Sequence, residues 1–301
     1  MTRTHTELKS GPASRRLQSL LSAAKAGERT MVMGILNVTP DSFYDGGRHF
    51  TVDAAVKRGI EIVSQGADIL DVGGESTRPS TFRDGKPLPA AEEADRVEEV
   101  IRQLSAAAPE TPISVDTWKA AVAERALNAG AVMINDISAL QGDADMAPMA
   151  AECGATVCLM HMPGLPMRLP ENPVYNNVVA DVLAALLEAV DRASAAGIPA
   201  GSIVIDPGIG FGKTAPQSFE LMQRLRVFTT TGLPVLVGPS RKSSIGAALG
   251  GLPPDERLEG TAAAVAICIA NGAAIVRVHD VLEMVRVARV TDAIVRGWPG
   301  S

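Results

Sequence analysis

The side chains most able to do chemistry recur just after short apolar runs: Asn37; Asp71, Glu75, Thr77 and Arg78; Asp116; Asn135 and Asp136; Met160 and His161; Asp206; Ser240, Arg241 and Lys242; Arg277, His279 and Asp280. A single Asp in such a place is ordinarily a helix cap or a satisfied core group. Repetition after one run after another points instead to a shared site. Asp116, Asn135 and Asp206 offer carboxylates and a primary amide, which match the alternating donors and acceptors of a fused nitrogen heterocycle. A carboxylate accepts two parallel hydrogen bonds from an amino-pyrimidine edge much as it does from a guanidinium, so an aminopterin-like ring fits these groups. Read as metal ligands, the same carboxylates are too dispersed, and His161 and His279 lack any short ligand spacing.

Anion recognition is the second theme. The run Gly238-Pro239-Ser240-Arg241-Lys242-Ser243 and the pair Arg277 and His279 gather cations late in the chain. Arg277 and His279 alternate with Val276 and Val278, so both face one side of a strand, and an inward cation without an anion would be costly. The segment Asp206-Pro207-Gly208-Ile209-Gly210-Phe211-Gly212-Lys213-Thr214 ends like a phosphate-binding loop, yet Pro207 stands where that motif needs glycine. A Gly-rich loop whose Phe211 packs either on a flat ligand or in the loop core is the better reading.

These groups need a frame that brings them together. Apolar runs at 31–38, 68–73, 113–116, 132–137, 156–160, 203–206, 235–238 and 275–278 alternate with amphipathic helical stretches at 52–65, 91–107, 119–128, 178–196, 216–230, 257–271 and 281–296. Gly66, Gly130, Gly197 and Gly272 are placed to close helices. That alternation predicts a (β/α)8 barrel over 31–301, with active-site groups at the carboxyl ends of its strands. Residues 1–30 form an extension in which Leu17, Leu20, Leu21 and Ala24 line one face of a short helix. The connections 37–51 and 74–89 are long and read as substrate-contacting loops.

A net charge of −6 supplies no general basic field, so small molecules are expected as partners, not nucleic acid. No apolar run approaches the length of a membrane span, and no signal core is visible at the N-terminus. Cys153, Cys158 and Cys268 lack redox or metal spacing and read as buried thiols, which suits a cytoplasmic location.

The runs Gly34-Ile35-Leu36-Asn37-Val38-Thr39-Pro40-Asp41-Ser42-Phe43 and Asp71-Val72-Gly73-Gly74-Glu75-Ser76-Thr77-Arg78-Pro79 closely resemble the dihydropteroate synthase family. Ser114-Val115-Asp116-Thr117, Ile134-Asn135-Asp136-Ile137, Leu159-Met160-His161-Met162, the 206–213 loop, Ser240-Arg241-Lys242-Ser243 and Arg277-Val278-His279-Asp280 follow in the same order. The sequence departs from the family's usual residues at Tyr44, Ser80 and Pro239.

The resemblance implies a transferase of folate biosynthesis that joins a 7,8-dihydropterin-6-ylmethyl diphosphate to 4-aminobenzoate, with Mg2+, as a homodimer and a sulfonamide target. It implies pterin contacts at Asp116, Asn135, Met160, Asp206 and Lys242. Asn37, Arg277 and His279 would take the diphosphate, Asn37 also the metal; these three and Lys242 would be the catalytic set. The p-aminobenzoate subsite would use Thr77, Arg78, Pro79, Phe211 and Ser240, with a lid of Thr39, Pro40, Asp41, Ser42 and Phe43. The alternatives are a pterin-dependent methyltransferase, against which the lid motif and the Ser-Arg-Lys run count, and a pterin-binding paralogue without turnover. Lys242→Ala is expected to damage pterin binding and turnover, whereas Cys153→Ser should leave the turnover of folded protein intact; steady-state rates beside a folding check test the contrast.

Overall fold

The computed structural model describes residues 11–39, 52–75, 87–164 and 174–298. Eight parallel strands run in the order β6-β5-β4-β3-β2-β1-β8-β7. They are β1 Met31–Asn37, β2 Ile69–Gly73, β3 Ile113–Asp116, β4 Met133–Asp136, β5 Thr156–Met160, β6 Ile203–Asp206, β7 Leu236–Val237 and β8 Ile275–Val278. A parallel bridge between Ile205 and Val235 joins the two ends of that order, so the sheet closes into a barrel. Apart from polar groups toward their carboxyl ends, their residues are mostly β-branched or apolar on both faces, as strands covered inside and out require.

Around the barrel lie α2 Val52–Ser64, α3 Ala90–Ala107, α4 Ala120–Ala129, α5 Met146–Cys153, α6 Val178–Ala195, α7 Ala215–Gln223, α8 Arg226–Thr229, α9 Ser243–Ala248, α10 Leu258–Ala270 and α11 Val281–Arg296, after α1 Pro12–Lys25 in the extension. Strand residues of one parity, such as Leu70, Val72, Val115, Ile134, Val157, Leu159 and Val276, pack outward on the helices. Those of the other parity, including Met33, Ile69, Met133, Cys158, Val204, Leu236 and Ile275, fill the barrel's lower interior together with Leu17 and Leu21 of α1. The extension helix therefore plugs the amino-terminal end of the barrel. Gln18 reaches Thr156 Oγ1 at 3.3 Å, and the Arg29 guanidinium pairs with the Asp68 carboxylate at 2.5 Å on the same end.

The helices do not all follow the expected outline. The 216–230 stretch is broken into α7 and α8, because the Asn271 side chain donates to Met222 O at 3.0 Å and to Gln223 O at 3.1 Å, occupying carbonyls that a continuing turn would use. Two further helices escaped the periodicity: α5 is eight residues long with Pro148 in its first turn, and α9 is six residues long with Gly246 inside it. The strand expected over 235–238 shrinks to Leu236–Val237, and β1 ends at Asn37, although Val38 N still donates to Gly73 O at 2.7 Å. Leu17 is 1% exposed in the plug, so Leu17→Ala should cost about 2–4 kcal/mol of stability. It should do so without altering either substrate KM, as urea unfolding and steady-state kinetics would show.

Candidate active site

One layer above the apolar interior, the inward positions become polar. Asp71, Asp116 and Asn135 are all buried, and the long Arg277 side chain crosses to them from β8. Arg277 Nε donates to Asp71 Oδ2 at 2.6 Å, and Nη2 donates to Asp116 Oδ2 at 2.6 Å. Asn135 Nδ2 also donates to Asp71 Oδ2, at 3.1 Å. Two carboxylates thus share one guanidinium, leaving the cluster with acceptors in excess. Asp71 Oδ1 and Asp116 Oδ1 are buried without a hydrogen-bond partner among the described residues. The anion for the inward Arg277 is therefore supplied by the protein itself, a role for Asp71 that its place before the strand end did not disclose.

Burial pushes Asp116 up to about 7, with Arg277 opposing the rise and Asp71 adding to it. Burial likewise raises Asp206 to about 6, opposed by the Gly208 N–H, which donates to Asp206 Oδ1 at 2.7 Å, and by Lys242. Lys242 is drawn down to about 8 by burial and by Arg277, with Asp206 and Asp116 opposing. Its Nζ lies 3.9 Å from the centroid of the Phe211 ring, a cation–π contact that sets an aromatic wall beside the acids. Met160, Met162 and Ile137 form an apolar patch against which Phe211 and Trp118 pack.

His279 departs from expectation. Burial first, then Arg277 and Arg241, push it down to about 3, so near neutral pH it is an uncharged imidazole and not a cation. Its Nδ1 lies 3.0 Å from Ser240 Oγ, and its backbone N donates to the same oxygen at 3.2 Å. Ser240, expected beside Phe211, is thereby tied to the β8 end.

Other expected strand-end groups do not meet here. Asp136 has outward parity and accepts from Ser138 N at 2.7 Å and Leu140 N at 2.8 Å, so it shapes the following loop. Arg241 is held by Asp280 at 2.9 Å through Nε, which removes both from the cationic rim. Glu75 accepts from Lys119 Nζ at 3.0 Å and from Leu88 N at 2.5 Å, while Lys119 also donates to Glu93 at 2.6 Å. His161 Nδ1 is taken by Lys213 Nζ at 3.0 Å. Neither Lys119 nor Lys213 was assigned a role in the sequence: Lys213 closes the 206–213 loop and Lys119 follows the Ser114–Thr117 run, but Glu75, Glu93 and His161 lie far along the chain. Asn37 shares the parity of Met31 and Met33 and sits in register with Gly73 at the strand ends. Pro40, Asp41, Ser42, Phe43, Thr77, Arg78 and Pro79 lie outside the described residues.

A family model for pterin-binding enzymes matches residues 33–279. The dihydropteroate synthase of Clostridium beijerinckii is 48% identical over 271 residues, which cover 90% of this chain and 96% of that protein. The chain belongs to the dihydropteroate synthases of the pterin-binding family. The dihydropteroate synthase of Escherichia coli is 45% identical over 262 residues, covering 87% of this chain and 90% of that one. Among solved structures, the Clostridium difficile dihydropteroate synthase in the presence of pteroic acid matches with 43% identity and a TM-score of 0.82, covering 90% of this chain and 98% of that one. The Xanthomonas albilineans dihydropteroate synthase in complex with 7,8-dihydropteroate matches with 42% identity and a TM-score of 0.80, over 89% of this chain and 94% of that one.

The buried pairing makes a specific stability prediction. Asp71→Asn removes one of the two charges that hold Arg277 while Asp116 remains, and should lower the free energy of unfolding by about 1.5 kcal/mol in urea at pH 7. Loss of a like charge should also bring the Asp116 carboxyl below its present value of about 7.

Proposed function

We propose that this chain condenses 6-hydroxymethyl-7,8-dihydropterin diphosphate with 4-aminobenzoate, giving 7,8-dihydropteroate and diphosphate. The observation that carries the reading is the convergence of buried Asp116, Asn135 and Asp206 from three separate strands, with Asp116 Oδ1 lacking a donor among the described residues. A pterin ring carries amino and ring N–H donors along one edge, and such donors complete acceptors of this kind. Lys242 donates from the opposite sense, and Met160 offers an apolar surface to the ring.

In the reaction the aromatic amine nitrogen attacks the exocyclic methylene carbon. A C–N bond forms, the C–O bond to diphosphate breaks, and that electron pair leaves with the diphosphate while the amine gives up a proton. Asp71 and Asp116 occupy Arg277 Nε and one Nη2 donor, which leaves further guanidinium donors for the departing group. A neutral His279 whose Nδ1 accepts from Ser240 Oγ would present its other ring N–H as a donor in the same region. The amine is already a free base near neutral pH, so positioning and exclusion of water count for more than a strong protein base.

Mg2+ belongs to the diphosphate end in this reading. Among the described residues no three His, Cys, Asp or Glu groups gather into a preformed cage. One inward Asn37 amide suits a cation that takes most of its ligands from substrate phosphate and water. When bound, Mg2+ would neutralise charge on the diphosphate oxygens. Phe211, Ser240 and Thr39 are assigned to the p-aminobenzoate side, as are Pro40–Phe43, Thr77, Arg78 and Pro79 on the strength of the family motifs alone. A sulfonamide is expected to compete there, as the Yersinia pestis relative solved with a sulfonamide drug complex suggests.

We also take the working form to be a homodimer. Phe219, Leu249 and Ile267 are 39%, 40% and 54% exposed and line an apolar groove of about 560 Å³ across α7, α9 and α10, a surface suited to a second copy. Among the described residues no helix is long and apolar enough to cross a membrane, and Cys153, Cys158 and Cys268 are buried free thiols, which supports a reducing cytoplasmic setting.

Diphosphate release should require both the pterin diphosphate and 4-aminobenzoate. No release with both substrates present would favour a methyltransferase or a silent pterin binder. With Asp206 and Asp116 at about 6 and 7 and Lys242 at about 8, kcat/KM for the pterin should follow a bell. It falls below neutrality as the acceptor carboxylates gain protons, and falls again above pH 8 as the ammonium loses one. Lys242→Arg should remove the alkaline fall if the variant still binds the pterin.

A further inference from the structure

The loop after β6 carries a lysine, Lys213, that contacts neither Asp116 nor Asn135 and lies one layer behind the Phe211 wall. Gly208 and Gly212 have φ of +69° and +56°, and a Cβ on either would meet His161 O at 2.0 Å or Pro163 Cγ at 2.2 Å. The loop is therefore pressed against the segment that follows β5, with backbone carbonyls turned toward each other and little room for water. Lys213 Nζ sits where those carbonyls meet. It donates to Gly208 O at 3.0 Å, Phe211 O at 3.0 Å and His161 O at 3.3 Å, and lies 3.0 Å from His161 Nδ1. Tyr175 Oη adds a bond to Gly212 O at 3.1 Å. Burial and the nearby Lys213 hold His161 uncharged, and burial draws Lys213 down to about 7, so Nζ shares at most three N–H groups among these four acceptors.

We propose that Lys213 is a positioning residue for pterin binding: its Nζ cross-links the Gly-rich loop to the end of β5 and so sets both Asp206 and Lys242. The linkage runs through two groups. Gly208 N donates to Asp206 Oδ1 at 2.7 Å, and the carbonyl of that same Gly208 is held by Lys213. The Phe211 ring lies against Lys242 Nζ at 3.9 Å, and the Phe211 carbonyl is likewise held by Lys213. Without that nitrogen, three carbonyls converge with no donor between them, and the loop must move apart to hydrate them. Asp206 would then lose its fixed orientation and Lys242 its aromatic wall. The nitrogen touches no reacting atom in this scheme. Its loss should weaken ring binding equally in the ground and transition states, which raises KM more than it lowers kcat.

The inference rests on Asp206 and Lys242 being pterin contacts, so the test carries Asp206→Asn alongside. Lys213→Met keeps the length of the side chain and removes the donor. In steady-state assays it should raise KM for the pterin diphosphate by about tenfold or more while kcat falls less than about threefold. Tyr175→Phe, which removes only the Gly212 bond, should raise the same KM by about two- to fivefold. Circular dichroism and thermal melting establish that each variant is folded. A folded Lys213→Met protein with the pterin KM within about twofold of the parent, beside an Asp206→Asn protein whose KM has risen, overturns the inference and leaves the pterin reading standing. An unchanged KM in Asp206→Asn overturns the pterin reading itself, and the inference with it. Should Lys213→Met not fold, an unchanged pterin KM in Tyr175→Phe overturns the proposal.

Discussion

The structure turns on one arrangement of charge: a guanidinium held between two carboxylates in the closed upper layer of the barrel. Arg277 alone in that place would be an uncompensated, partly buried cation, and Asp71 with Asp116 alone would be two like charges in a poorly hydrated space. Together they offset one another but leave acceptors in excess, and two carboxylate oxygens have no donor among the described residues. Binding a flat ring with N–H donors resolves that excess. The same arrangement explains why Asp116 and Asp206 titrate high while Lys242 titrates low: burial penalises every charge, and each acid and base is stabilised only in part by its neighbours.

The barrel supplies this arrangement through parity. Along each strand one set of side chains meets the helices and the other meets the barrel axis, so changing from Met, Ile and Val to Asp and Asn at the final inward positions converts an apolar interior into a polar floor. The α1 plug closes the opposite end, and Leu17 and Leu21 complete the apolar layer on which that floor stands.

Parity is also why so much was legible beforehand. The eight-strand barrel and the meeting of Asp116, Asn135, Asp206 and Lys242 follow from apolar runs whose ends are polar, and the family motifs agree with that placement. Three features were not legible. Asp136 differs from Asn135 by one residue and so faces outward, a consequence of register that the mere presence of a strand-end acid does not reveal. His279 looks like a cation in sequence but is kept neutral by burial and by Arg277, which only folding brings near. Lys119 and Lys213 take their roles from partners on other elements, Glu93 and His161 among them, and no local pattern announces such contacts.

The most direct test of the shared-charge floor is a carbon-13 titration of the Asp116 side-chain carboxyl in the ligand-free protein. The account predicts a midpoint of about 7, set by burial and by Asp71 against the pull of Arg277. A midpoint in the ordinary aspartate range, about 4, would mean that Asp116 is hydrated and free of Asp71, and would contradict it.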